Sequence, residues 1–105
     1  MAQKEEAKAV RAAQKEALKA AELAFIAEFQ PRLIAARERR GLTQLQVATY
    51  LGMPKSTYKK YENRKSSLLP IYLLPELSIL LEEPIAYFFS GIRLPRRVHP
   101  RLVSG

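Results

Sequence analysis

The stretch Gly41–Asn63, GLTQLQVATYLGMPKSTYKKYEN, decides the fold. Thr43 is a good N-cap, and the residues after it place Val47, Ala48 and Leu51 on one side of a short helix. Gly52 breaks that helix, because glycine enters the left-handed backbone region without a steric penalty. Pro54 follows, and proline suits a helix start. A second short helix is expected from about Lys55 to Glu62.

That second helix has two unlike sides. At about 100° per residue, Tyr58, Tyr61 and Glu62 fall together with Pro54, while Lys55, Ser56, Lys59, Lys60 and Asn63 fall opposite. The aromatic side can pack inward. The other side carries three lysines with short hydrogen-bonding side chains between them. Lysines attract phosphate, and polar side chains on a groove-inserted helix read base edges. A solvated surface helix also shows a lysine-rich face. The preceding helix and the glycine turn favour the first reading, because two short helices joined this way form a helix-turn-helix.

Composition narrows the classes further. The 105 residues suffice for one small domain with extensions. There is no cysteine, which excludes disulfides and thiolate metal sites. No apolar run approaches the roughly 20 residues that cross a bilayer. The charged, alanine-rich N-terminus has no signal-peptide core. A cytoplasmic, nucleoid-associated protein without membrane contact is expected. The formal charge is +8, and its placement matters more than its size. In residues 1–30 five basic residues balance five acidic ones. In residues 31–66 nine basic residues face only Glu38 and Glu62, a net +7. A basic stripe on a compact helical unit points to a polyanion.

Three regions follow from the pattern. Residues 1–30 form an N-terminal helical extension, rich in strong helix formers, with a solvated first half and some packing from Leu18 onward. Pro31 either interrupts or kinks this helix, or sits in the first turn of the next. Residues 31–91 form the domain proper. Its first helix runs to about Arg40 and Gly41 closes it; later helices start at Leu74 and at Pro84, the last ending at Gly91. Residues 92–105 read as a basic flexible tail.

Residues 31–91 resemble the phage-repressor (Xre/Cro-type) helix-turn-helix domain. The matching pieces are Arg37, GLTQ at 41–44, VA at 47–48, LG at 51–52, STYKKYEN at 56–63, LPEL at 74–77 and FFSG at 88–91. Their order and spacing carry the match. The resemblance implies an all-α, five-helix, lambda-repressor-like domain that binds double-stranded DNA, the extension lying outside it. It implies that Lys55, Ser56 and Lys60 read bases. It implies that Gln44, Thr57, Lys59, Asn63 and Lys65 lie at phosphate or beside it, and that Arg37 and Glu62 form an internal salt bridge. The sequence departs from the family at Pro54, which loses the usual Ser or Thr cap. Arg64 and Glu82 stand where glycine is common, so the chain must turn there differently or with strain.

Catalytic readings find little support. The chain has no aspartate, and its one histidine, His99, lies in the tail. Glu82 and Glu83 are adjacent and point apart on a regular element. No glycine-rich phosphate loop is present. The expectation is a transcriptional regulator of phage, prophage or mobile-element type, not an enzyme, with no cofactor and no metal. A weak homodimer is expected, through Phe89 near the end of the domain or through the stripe Leu18, Phe25, Phe29 of the extension. The alternative is an antitoxin-like or coactivator-like interaction protein whose N-terminal helix binds a protein partner.

Overall fold

The computed structural model describes residues 2–92; the remainder of the expected tail, including His99, lies outside the described residues. Four α-helices occur: α1 (Ala2–Arg39), α2 (Gln44–Tyr50), α3 (Lys55–Asn63) and α4 (Leu74–Leu81). Single 3-10 turns occupy Ile71–Leu73 and Ile85–Phe88. No strand is present among the described residues.

The expected count of five short helices is corrected in two places. The extension and the first domain helix are one element, because α1 runs through Pro31. Proline in a helix interior removes a hydrogen bond and crowds the carbonyl four residues back, at a cost of about 3 kcal/mol. Pro31 and Ala27 both face solvent, so water can satisfy the orphaned carbonyl. On the inner side Ile26, Phe29, Gln30, Leu33 and Ala36 are buried. Burying an Ile, Phe or Leu side chain contributes about 1.5–3 kcal/mol each, which exceeds the penalty and holds both halves in one helix. The last element is a 3-10 turn instead of an α-helix. Only four residues separate Pro84 from Phe89, and Gly91 reverses the chain with φ +73°.

The core sits around the C-terminal third of α1. Leu33 and Ala36 of α1 meet Val47 and Ala48 of α2, Tyr58 of α3, Leu74, Leu77 and Leu81 of α4, and Phe88. Phe29 and Phe88 approach to 5.9 Å between ring centroids. From Gln3 to Leu23, by contrast, no residue is buried. Leu18 remains 55% exposed, so packing begins at Phe25 and not at Leu18 as expected. The free part of α1 makes the molecule a rod on a small body, 58 × 25 × 21 Å.

The two missing glycines are handled differently. Arg64 leaves α3 in an extended conformation (φ −91°, ψ 119°) without strain. Glu82 ends α4 in the left-handed region (φ 54°, ψ 43°). Its backbone N–H donates to the Ser78 carbonyl, and the Ser78 hydroxyl donates to the Glu83 carbonyl. A side chain in this region costs about 1–2 kcal/mol. Glu82→Gly is therefore expected to raise the melting temperature by a few degrees, although it gives up the exposed Arg40–Glu82 pair. A thermal melt followed by circular dichroism checks this; a lowered midpoint means that the pair outweighs the strain.

Candidate nucleic-acid interface

The first turn of α2 is set by a capping box. The Gln46 backbone N–H donates to the Thr43 hydroxyl (3.1 Å), and the Thr43 N–H donates to the Gln46 side-chain carbonyl (2.8 Å). Gly52 then turns the chain at φ +72°. The Met53 N–H donates back to the Ala48 carbonyl at 3.0 Å, which closes the turn on α2. Pro54 caps α3 with no side-chain hydrogen bond; its carbonyl accepts from the Thr57 and Tyr58 N–H groups. The side-chain cap is thus absent, and α3 starts on the backbone bonds alone.

The inner side of α3 carries a charge. Glu62 is 3% exposed and accepts four hydrogen bonds. Arg37 of α1 supplies two, from Nε to Oε2 at 2.7 Å and from Nη2 to Oε1 at 3.0 Å. Gln44 of α2 supplies one to Oε1 at 3.0 Å, and the Tyr58 hydroxyl supplies one to Oε2. Arg37 also donates through Nη1 to the Leu42 carbonyl at 2.8 Å, so one guanidinium ties α1 to α3 and to the segment entering α2. Burial pushes the Glu62 carboxyl up, but the hydrogen bonds from Arg37, Gln44 and Tyr58 and the charge of Arg37 outweigh it. The net shift is downward. The hydrogen bond to Glu62 raises Arg37, and burial raises the Tyr58 phenol.

With its inner side so anchored, α3 turns Lys55, Ser56, Lys59, Lys60 and Asn63 outward, and all five are exposed. Thr57 is half-buried. Lys65 is exposed just beyond, and its position is held from α1. The Gln30 amide, buried on α1, donates to the Arg64 carbonyl at 2.7 Å and to the Ser67 carbonyl at 3.3 Å. Sequence reasoning misses Gln30, whose signal is a polar residue on the buried stripe of a helix. Gln44, expected at a phosphate, is half-buried, and one of its two N–H donors is engaged by Glu62.

Comparison with known proteins agrees with this geometry. The helix-turn-helix family profile HTH_3, of the Xre/Cro and lambda-repressor type, matches residues 33–88. That is more than half of the 105 residues, and the chain belongs to this family of DNA-binding regulators. Searches of curated proteins and of solved structures found no match. No helix among the described residues is long and apolar enough to cross a membrane.

The buried carboxylate makes stability depend on pH. The folded Glu62 pKa lies below the ordinary value, so its contribution is complete above about pH 4.5 and is lost as pH falls through the folded value. Melting temperature is expected to drop steeply below pH 4.5, and the drop is expected to flatten in Glu62→Gln. Glu62→Ala leaves Arg37 without its partner and is expected to cost about 3–5 kcal/mol, enough to unfold most of so small a domain. A midpoint within a few degrees of the parent would contradict the role given to the pair.

Proposed function

We propose that the chain is a sequence-specific, double-stranded-DNA-binding transcriptional regulator of phage, prophage or mobile-element type. It acts at the nucleoid by equilibrium occupancy of its site, with α3 in the major groove. The observation that carries this reading is the outer side of α3, where Lys55, Ser56, Lys59, Lys60 and Asn63 are exposed together above an anchored inner side. Lys55, Ser56 and Lys60 read base edges. Lys59, Asn63 and Lys65 take phosphates. Thr57 and the remaining N–H donor of Gln44 lie at the flank of the contact. This division follows the general rule that phosphate contacts position a protein and base contacts specify the site.

The regulator acts as a weak homodimer. A single short helix reads few base pairs, and half-sites about 34 Å apart on the duplex give the specificity one helix lacks. The two surfaces expected from the sequence adjoin at Phe25, Phe29 and Phe89, with Leu18 standing apart. Phe25 and Phe29 of α1 line the same apolar groove as Leu68, Ile71 and Phe89, a cleft of about 450 Å³. Phe89 is 43% exposed and Ile71 79%, an apolar exposure that supports this groove as the contact with a second copy.

Selection from a random duplex library tests the reading: an enriched palindrome supports it, and no enrichment overturns it. On the selected site, Lys60→Ala is expected to lose about 1–3 kcal/mol of preference at one base position. Lys65→Ala is expected to weaken all sequences alike and to reduce the salt slope by about 1. In analytical ultracentrifugation, Phe89→Asp is expected to abolish the dimer. Deleting residues 1–22 is expected to leave it intact, because Phe25 and Phe29 remain. Equal dimerisation by Phe89→Asp and the parent would rule out the groove.

A further inference from the structure

We propose that the free N-terminal half of α1 is a second duplex-binding surface, whose basic side lies against phosphates beyond the site contacted by α3. The proposal rests on the DNA-binding reading and adds a contact outside the family-matched residues 33–88.

The extension is balanced in charge, but the two signs are segregated around the helix. Lys4, Lys8, Arg11, Lys15 and Lys19 follow one another at steps of four, three, four and four residues. At about 100° per residue they fall within an arc of roughly 80° and extend over ~22 Å of helix, about two-thirds of a duplex turn. Glu5, Glu6, Glu16 and Glu28 lie outside that arc, and only Glu22 shares it. All five cations are exposed.

A helix that merely needed to be solvated would interleave opposite charges at these spacings, since like charges three or four residues apart destabilise it. Here Lys4, Arg11 and Lys15 have only cations three or four residues away, while Lys8 also has Glu5 and Lys19 also has Glu16 and Glu22 at three residues. Of these five cations only Lys19 makes an ion pair among the described residues, with Glu22 at 3.4 Å. A row of cations that repel one another becomes favourable when a polyanion lies along it, because neutralised phosphates release counterions.

The start of the free segment beside α3 favours the same duplex as the polyanion, the centre of the basic arc lying about 80–120° around α1 from the residues that border α3. Leu23 and Ala27 of α1 border one cleft with Asn63 and Lys65, which end α3 and begin the loop after it. The free segment therefore starts beside the phosphate side of α3 and continues away from it as unbroken helix. Its charge matches duplex phosphate and needs no second partner.

The test compares the full chain with a variant in which Lys4, Lys8, Arg11, Lys15 and Lys19 are replaced by Gln, a good helix former that removes charge alone. Binding is titrated against salt on a duplex holding only the selected site and on one extended by a turn on each side. On the extended duplex the variant is expected to lose at least tenfold in affinity at low salt, with a salt slope smaller by about 3–4. On the short duplex the two proteins are expected to agree more closely, and base preference is expected to be the same. A Lys→Arg version at the four lysines is expected to keep the parent slope. Equal slopes for parent and Gln variant on the extended duplex overturn the proposal while leaving recognition by α3 in place. Absence of binding by the parent to either duplex overturns the DNA-binding reading, and the proposal falls with it.

Discussion

A carboxylate taken out of water has to be surrounded by donors, and Glu62 draws its donors from three helices. In this placement of α3 the carboxylate meets the Arg37 fork from α1, the Gln44 amide from α2 and the Tyr58 hydroxyl from its own preceding turn. The hydrophobic contacts of Tyr58, Val47 and Ala48 supply cohesion but little direction. The ion pair supplies the direction: it fixes the rotation of α3 about its own axis. The outward side of α3 is therefore a consequence of the inward one. Arg37 extends the constraint by holding the Leu42 carbonyl, so the entry to α2 is placed by the same group.

How much was legible in the sequence depends on how local each determinant is. Thr43, Gly52 and Pro54 act within a turn or two, and the structure places each as their chemistry implies. Tyr58 and Glu62 were readable as an inner side because helical period alone brings them together. Pro31 was not readable. Its local penalty argues for a break, and the burial that overrides it involves residues far along the chain, on α4 and around Phe88. The partner of Gln44 and the loop contacts of Gln30 were hidden for the same reason, since both join positions 18 to 37 residues apart. The groove shows the point most plainly. Phe25 and Phe89 looked like rival surfaces in sequence, and folding sets them on one. Glu82 is a partial case: its strain was foreseeable from the missing glycine, whereas the equivalent position at Arg64 relaxes into an extended conformation.

The C-terminal part of the domain is tied to α1 by a second polar set, distinct from the Glu62 cluster. Arg32 donates to the Tyr87 carbonyl at 3.2 Å and to the Ser90 carbonyl, and the Tyr87 hydroxyl donates back to the Arg32 carbonyl at 3.2 Å. Arg39 lies 5.0 Å from the Tyr87 ring centre and pairs with Glu83 at 2.9 Å. Arginine serves here because its planar fork can engage carbonyls and carboxylate and stack on a ring. Part of the basic excess in residues 31–66 is thus internal structure. The cations left outermost on and after α3 are Lys55, Lys59, Lys60, Arg64 and Lys65.

The continuity of α1 through Pro31 has a mechanical consequence. With no loop between its free half and the part in the core, the free half has no independent orientation: it turns whenever the body turns. A stiff lever of this kind converts a small tilt of the body into a displacement several times larger at its tip. The same helix sets the reach of the molecule: its length accounts for the long dimension of 58 Å, against 25 and 21 Å in the other two directions.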